Sequence, residues 1–582
     1  MVEVLLDRVD GQEVTIVESD CIPESPTENS PNEKLSPIQE FYYGQSIFIT
    51  GGTGFMGKLL IEKLLRTCPG VTSIYLLVRP KKGKDVHQRT EEIFDDPVFA
   101  KLRHEQPKFR HQIVAIAGDC SQPNLGISSQ DRATLIREVS IVFHVAATVR
   151  FDEKLKLAVP INVRSTRDVV NLCKEITNLK VGHKVQMFTK RKAMKIFCTL
   201  LLVQLDECSL KLQYSYLILI QITKSGISFI HVSTAYANCP QSVIEEKFYD
   251  PPMDSDKLIA LMECLEDKLA EDITPQLLGK WPNTYTFTKA VAENVIRKAG
   301  DLPIGIFRPA IVISTYQEPT RGWIDNLYGP TGVAAGAGTG LLRSIHCDGS
   351  VHANVVPADL TVNALIACAW DVANDQRSNN KSRSEVPIYN YVSTDNPITY
   401  DELKEMSSKY GLEIPSTRAV WYYSFRNNKH RIVHLFFVYF WHLLPALLVD
   451  TATVCIGRQP RLLKVYKKIH KFMDVLNYFS TQEWKFTNDR LRALMGKLTF
   501  KDREKFYFDI RDVDWNTYFE TYIRGIRVYL IKDPLDTLPQ ARVKWQRLYW
   551  SHQALKLILA YIAMRFSWTA ISTLFDFLYP KV

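Results

Sequence analysis

Short apolar runs alternate with amphipathic stretches over residues 41–400 of this 582-residue chain. Between the runs, apolar residues recur at helical spacing, for example from Lys58 to Leu65. This alternation predicts an α/β fold with a doubly wound parallel sheet. From about Tyr400 the pattern changes to aromatic-rich amphipathic stretches, which predict a mainly helical C-terminal domain over residues 401–550. The runs that predict strands are Ser46–Thr50, Ser73–Val78, Gln112–Ala117, Val139–Val145, Ser228–Val232 and Ile304–Arg308.

The turn after the first predicted strand is rich in glycine, and residues 47–57 read IFITGGTGFMG. The turn fits two spacings, G-x-G-x-x-G from Gly52 and G-x-x-G-x-x-G from Gly51, so either glycine could form the tight turn. A strand, a glycine turn and a helix in this order bind the pyrophosphate of a dinucleotide, because the backbone approaches it closely and the helix N-terminus attracts negative charge. The pattern therefore predicts a Rossmann-like domain. Its expected cofactor contacts in this turn are Gly51, Gly52, Thr53, Gly54, Phe55, Met56 and Gly57.

The residue after the second predicted strand favours NADPH over NADH. An acidic residue at this position would bind the ribose 2′-hydroxyl of NADH, but the chain has Arg79, followed by Lys81 and Lys82. A guanidinium suits the additional 2′-phosphate of NADPH.

The ends of later strands supply the other expected cofactor contacts. Asp119 follows the third strand and is placed to meet the adenine. Small residues after the fourth strand would let the cofactor lie across its end, whereas His144 is interpreted as structural. These further contacts are Asp119, Ala146, Ala147, Pro309 and Ile311 near strand ends, together with Lys289 on a later predicted helix.

A tyrosine and a lysine four residues apart carry the candidate chemistry. Tyr285 and Lys289 share one face of a predicted helix. A nearby ammonium should lower the pKa of a phenol, which can then protonate a carbonyl oxygen as hydride arrives at carbon. Ser233 or Thr234, at the end of a strand, would orient that carbonyl.

Taken together, these motifs resemble the fatty acyl-CoA reductase family, which belongs to the extended short-chain dehydrogenase/reductases. The resemblance runs from about Phe41 to Pro534 and continues through the family's own C-terminal region, including LLPALLVDTATVCIGRQPRLLKVYKKIHK. It implies reduction of a long-chain fatty acyl-CoA to a primary alcohol with two NADPH, through an aldehyde. It also implies that Ser233 or Thr234, Tyr285 and Lys289 are the catalytic residues.

Two other functions remain open at this point. Another extended reductase, acting on a sterol or a nucleotide sugar, would share every cofactor residue and is opposed mainly by the C-terminal region. A catalytically silent, membrane-associated protein is the second alternative, because of an atypical insertion. Residues 181–227 stand where a loop of about 2–6 residues is expected. This insertion is interpreted as a retained intron or, alternatively, as a genuine lid or membrane-dipping segment.

Composition narrows the class of protein further. The net charge of +9 fits contact with anionic lipid or an acidic coenzyme and falls short of a nucleic-acid-binding protein. Eleven cysteines without a C-x-x-C pair indicate a reduced, cytosol-facing protein, and no metal site is expected.

The two ends of the chain differ in character. Residues 1–40 are acidic and rich in Ser and Pro, which predicts a disordered tail. The tail 551–582 is hydrophobic, and its segment Leu555–Leu578 is a candidate membrane span or interfacial helix. Ile432–Ile456 is a second candidate, with a buried or re-entrant hairpin as the alternative to a span. We therefore expect membrane lipid as a partner, and the family resemblance implies the endoplasmic reticulum or the peroxisome as the compartment.

Overall fold

The computed structural model describes residues 34–80, 83–176, 228–300, 302–378 and 385–578. Within these ranges, seven parallel strands form one sheet in the order β3-β2-β1-β4-β5-β7-β11. All six predicted strands lie in this sheet, with ends that differ by at most two residues from the prediction. The strands are β1 Ser46–Thr50, β2 Ser73–Val78, β3 Ile113–Ala117, β4 Ile141–His144, β5 Ser228–Val232, β6 Val243–Ile244, β7 Ile304–Pro309, β8 Ile311–Ile313, β9 Ser344–His346, β10 Val355–Pro357, β11 Ile388–Tyr391, β12 Arg426–Asn428 and β13 Lys485–Phe486.

Helices alternate with these strands and then dominate the chain. Those of the first part are α1 Pro37–Tyr42, α2 Phe55–Thr67, α3 Val86–Phe94, α4 Ala100–Glu105, α5 Ser129–Glu138, α6 Leu155–Val159, α7 Ser255–Cys264, α8 Asp267–Leu278, α9 Thr284–Lys298, α10 Pro330–Gly338 and α11 Ala358–Ser378. Those that follow are α12 Tyr400–Glu413, α13 Arg431–Phe437, α14 Leu444–Cys455, α15 Leu462–Ser480, α16 Asp489–Lys497, α17 Phe500–Lys505, α18 Trp515–Gly525 and α19 Leu538–Leu578.

The strand order places the candidate site. β1 pairs with β2 on one side and with β4 on the other, so the direction of winding reverses between β1 and β4. In doubly wound sheets, ligands bind outside the carboxyl ends of the strands at this reversal. The glycine turn leaves β1 at this point, and the ends of β4, β5 and β7 lie beside it. The predicted Rossmann-like fold and the helical C-terminal region are both confirmed.

The C-terminal region packs directly onto the sheet domain. Its strands β12 and β13 pair with β9 and β6 of the first part. One hydrophobic core runs from Ile38 to Ile531 and includes side chains of both parts. The helical region therefore shares its core with the reductase fold and is in position to shape a common cavity.

Two segments differ from their prediction. Residues 34–40 belong to the expected disordered tail, yet the Ser36 side chain caps α1 and Ile38 is fully buried. At the start of this helix Ser36, which is followed by Pro37, forms a capping box with Gln39. Because Ser and Pro are also typical of disordered segments, composition alone does not reveal this helix start. The glycine-rich composition of Gly329–Gly340 predicts a surface loop, yet this stretch contains helix α10, whose small residues allow close packing. The remaining tail, the insertion 181–227 and residues 579–582 lie outside the described residues.

Candidate active site

The glycine turn is shaped for close contact with a phosphate group. Gly51 has φ of +77°, and an added Cβ would lie 2.6 Å from the backbone nitrogen of Ala146. Gly57 lies so close to the turn that an added Cβ would be 2.2 Å from the Gly51 carbonyl oxygen. Gly54 is the N-cap of α2 and supplies no side-chain cap, so the first N–H groups of this helix can bind an anion. Of the two spacings in the sequence, the structure uses the one that begins at Gly51.

Two arginines line the cavity at the end of β2. Arg79 has a side chain that is 63% exposed, with Nε 3.8 Å from an Asp119 carboxylate oxygen. Arg89, on α3, donates to the backbone carbonyl of Arg79 and lines the same cavity. Sequence reasoning missed Arg89, which lies eleven residues beyond the strand end on a separate helix. Two guanidinium groups at this position suit a phosphate on the ribose.

Tyr285 and Lys289 lie on the face of α9 that lines the cavity, as expected from their spacing. The Lys289 ammonium donates to the carbonyl of Val232 at the end of β5, at 2.8 Å. An ammonium has three N–H donors, so this bond leaves two for the hydroxyls of a bound ribose. The phenol ring of Tyr285 lies 5.6 Å from the ring of Phe151, which also lines the cavity.

The expected lowering of the Tyr285 pKa by Lys289 is not found. Burial raises the pKa of Tyr285 to about 12, and a hydrogen bond with the Thr234 hydroxyl acts in the opposite direction. Burial also lowers the pKa of Lys289 to about 8. The reason is that desolvation penalises the charged form of each group more than the neighbouring groups stabilise it. At neutral pH the phenol therefore keeps its proton and is an acid.

The two candidate hydroxyls face different partners. Ser233 donates to a carboxylate oxygen of Glu293 at 2.6 Å. Glu293 also accepts two bonds from the fully buried guanidinium of Arg308, at 2.8 and 2.7 Å. Thr234 instead hydrogen-bonds Tyr285 and accepts the backbone N–H of Tyr236. Of the two hydroxyls, that of Thr234 is therefore the one that contacts the phenol.

One cavity of about 770 Å³ connects the glycine turn with the C-terminal region. Beyond Tyr285 its walls are largely apolar and come from α10, α12, α15, the turn after α18 and α19. Representative wall residues are Val333, Ala334, Ala337, Leu403, Leu476, Phe479, Ile526 and Trp545. Such a shape holds a polar cofactor at one end and an apolar chain at the other.

All of the expected site residues except Gly52 line this cavity. Gly52 is buried, with an added Cβ 3.1 Å from a Leu76 methyl group, so it faces the core. His144 lies outside the cavity lining, between the hydroxyls of Thr50 and Thr166, and burial lowers its pKa to about 3. The apolar wall residues after 400 were not named from the sequence, because an aromatic or aliphatic stripe looks the same in a core and in a cavity. Among the described residues, no cluster of three or more metal-ligating side chains occurs.

Comparison with known proteins agrees with this geometry. A family model described as male sterility protein matches residues 49–191 and 216–365, and a second with the same description matches residues 441–533. The fatty acyl-CoA reductase wat of Drosophila melanogaster is 43% identical over 88% of this chain and 89% of its own. Fatty acyl-CoA reductase 1 is 36% identical in Xenopus laevis and 35% in Homo sapiens, with the same coverage.

The chain belongs to the fatty acyl-CoA reductase family. It is accordingly an oxidoreductase with a nicotinamide-nucleotide-binding domain, and the resemblance read from the sequence is confirmed. The first family match is interrupted between residues 191 and 216, inside the atypical insertion.

Proposed function

We propose that this fatty acyl-CoA reductase family member converts a long-chain fatty acyl-CoA to a primary alcohol, with NADPH as the reductant. The observation that carries the proposal is the single cavity that joins the glycine turn, Tyr285 and an apolar extension. The names of its relatives supply the substrate class. The polar part of a nucleotide sugar would not suit the apolar walls, and the match of the C-terminal region to this family opposes a sterol reductase.

The residues around the glycine turn fit a dinucleotide. Gly54 leaves the start of α2 open to a pyrophosphate, and Lys289 retains donors for the nicotinamide ribose. Arg79 and Arg89 would hold the 2′-phosphate that distinguishes NADPH from NADH. Bound here, the reduced nicotinamide would supply the hydride that each step adds to carbon.

Tyr285 and Thr234 would manage the proton at the carbonyl oxygen. In the first reduction hydride adds to the thioester carbon, the C–S bond breaks, and the coenzyme leaves as a thiolate that takes a proton from water. In the second, hydride adds to the aldehyde carbon, and the Tyr285 phenol gives its proton to the oxygen. Because burial raises the pKa of this phenol to about 12, the proton is present at neutral pH. Thr234 contacts the same phenol, so its hydroxyl would lie beside the carbonyl oxygen of the substrate and orient it.

The apolar extension of the cavity would hold the acyl chain. Ala334 and Ala337 of α10 line it, and their small side chains leave room between this helix and α12. Phe479 and Trp545 add aromatic walls from α15 and α19. An acyl chain in this extension places its thioester beside Tyr285.

We further propose that the enzyme is attached to a membrane and faces the cytosol, at the endoplasmic reticulum or the peroxisome. Two helical stretches, Arg431–Cys455 and Leu535–Phe575, are long and apolar enough to cross a bilayer, which is weak support by itself. A long-chain substrate that partitions into bilayers makes such attachment useful.

Product identification tests the proposed reaction. Purified protein is supplied with NADPH and a long-chain acyl-CoA, and the lipids are identified by mass spectrometry. A primary alcohol is expected, and Tyr285→Phe should abolish its formation. Turnover only with sterols or nucleotide sugars would replace the proposal, and cofactor binding without any turnover would indicate a silent protein.

A further inference from the structure

The apolar segment Arg431–Cys455 exposes apolar side chains on the protein surface and directs its polar side chains toward the protein interior. It comprises α13, a π-helical turn at Val438–Leu443, and α14. We call its exposed side the outer face; Ile432 is 83% exposed there and Leu448 is 62% exposed. Other outer-face residues are Phe436, Phe440, Leu444 and Leu447. Such a surface is unusual on a protein surrounded by water.

The inner face is fixed to the protein body at its start and middle by histidines. His434 Nδ1 lies 2.7 Å from the Ser344 hydroxyl oxygen. His442 Nε2 accepts the backbone N–H of Arg343 at 3.0 Å, and its Nδ1 lies 3.1 Å from Nε2 of His470 on α15. Both histidines are buried.

A buried carboxylate fixes the end of the segment. Asp450 accepts the backbone N–H groups of Arg461, Leu462 and Leu463, at 3.0, 2.9 and 2.9 Å, where α15 begins. The buried residues 434, 438, 442, 446 and 450 recur every four positions. In an α-helix each such step drifts by about 40° around the axis, and the wider π-helical turn counteracts this drift. The buried residues therefore face the body of the protein along the whole length of the segment.

The surroundings of the outer face are strongly basic. Residues 429–473 contain eight Lys or Arg residues and a single acid, the buried Asp450, a formal charge of +7 out of +9 for the whole chain. The cations that follow the segment on the surface include Arg458, Arg461, Lys464, Lys467 and Lys468, all exposed. Apolar residues flanked by cations match a bilayer with anionic headgroups.

The second apolar helix emerges from the same part of the body. The guanidinium of Arg343, whose backbone binds His442, lies 5.6 Å from the ring of Trp421. Trp421 in turn donates to His552 of α19 at 3.1 Å. The stretch of α19 beyond this contact is exposed and apolar, so the second apolar helix begins close to the body residues that hold the first segment.

We propose that Arg431–Cys455 lies in the plane of an anionic bilayer and does not cross it. Its outer face would sit among the lipid chains of the nearer leaflet, with Arg458, Arg461 and the lysines of α15 at the headgroups. A crossing would pull His434, His442 and Asp450 away from their partners into hydrocarbon, which has no replacement for those bonds. A second copy of this chain would bring two basic surfaces together, so a bilayer with anionic headgroups fits better.

Depth measurements along the outer face test this geometry. An environment-sensitive fluorescent amino acid is placed at Ile432, Phe440 or Leu448 of the full chain, one position at a time. Successive positions are about 12 Å apart along the helix axis. In phosphatidylcholine–phosphatidylserine vesicles, quenchers attached at known depths of the lipid should give one shallow depth for all three. Phe500, which is 85% exposed on α17, is the control and should remain in water.

Other outcomes would overturn the proposal. Different depths for Ile432 and Leu448 would show a spanning helix, and absence of lipid quenching at all three would show that protein covers the outer face. Because depth is read without turnover, loss of reductase activity at unchanged depth would count only against the proposed function.

The electrostatic part of the proposal has a separate control. Lys467→Gln and Lys468→Gln should each lower the ratio of lipid-embedded to water-exposed fluorophore at Phe440 by about fivefold in phosphatidylserine-containing vesicles. In pure phosphatidylcholine the same variants should behave like the parent chain. Equal ratios in both lipids for the parent chain would refute attraction by anionic headgroups.

Discussion

Thr234 and Ser233 are adjacent in sequence, and the structure predicts opposite consequences for their replacement. Thr234→Val keeps the shape of the side chain and removes the hydroxyl that contacts Tyr285. Ser233→Ala removes the hydroxyl that donates to Glu293. The first variant should lose catalysis, and the second should lose mainly stability.

The magnitudes follow from the contacts. A hydroxyl that stabilises charge at the reacting oxygen is worth about 10²–10³ in kcat, so Thr234→Val should lose this much. A hydrogen bond to a charged group contributes about 1.5–3 kcal/mol to the free energy of unfolding, and Ser233→Ala should lose a value in this range. Glu293 would still hold both bonds from Arg308, at 2.8 and 2.7 Å, so the end of β5 should keep its position. The kcat of Ser233→Ala should therefore stay within tenfold of that of the parent enzyme.

Both variants are compared in one detergent by NADPH oxidation with a long-chain acyl-CoA and by thermal unfolding. Thr234→Val is expected to be slow and stable, and Ser233→Ala active with a lower melting temperature. The reasoning is refuted when Ser233→Ala loses as much kcat as Thr234→Val while its melting temperature is unchanged.

Three further predictions concern the proton donor, the buried lysine and the arginines. Tyr285→Phe should lower kcat by at least about 100-fold while NADPH binding, followed by fluorescence titration, is retained; near-normal turnover would contradict its role. Because the pKa of Lys289 falls from 10.5 to about 8 on burial, folding pays up to about 3 kcal/mol for its charge below pH 8. The parent enzyme should recover this stability as pH rises from 8 to 10.5, whereas Lys289→Met should not, so the melting-temperature advantage of the variant should shrink across that window; a constant difference would argue against a shifted lysine. Arg79→Ala and Arg89→Ala should each raise KM for NADPH by tenfold or more and leave KM for NADH nearly unchanged; equal effects on both cofactors would remove the 2′-phosphate assignment.

Local patterns predicted the sheet well. β1, β2 and β5 begin and end at the expected residues, because apolar runs bounded by turn residues leave little choice. The glycine turn and the Tyr285–Lys289 pair were also readable, since their function depends on short spacing along the chain. Each of these predictions depends only on residues that are close together in the sequence.

Long-range placement was not readable in the same way. Ser233 and Thr234 differ in their hydrogen-bond partners because Ser233 binds Glu293, which is held by Arg308. Glu293 and Arg308 lie 60 and 75 residues beyond Ser233 along the chain. The helical form of Gly329–Gly340 depends on packing that composition does not reveal, such as the close approach of Gly332 to the Leu327 carbonyl. The pKa of Tyr285 depends on burial in a cavity built by both parts of the chain. Tertiary context decides each of these.

The continuity of the cavity bears on how two reductions can follow one another. The glycine turn forms one end and the helices after residue 400 form the other. On the proposed chemistry, spent cofactor can be exchanged for fresh at the first end while the half-reduced chain remains held at the second. The reactive aldehyde would then remain in the apolar part of the cavity, where amines in the cytosol cannot reach it. Only the unreactive alcohol would need to be released.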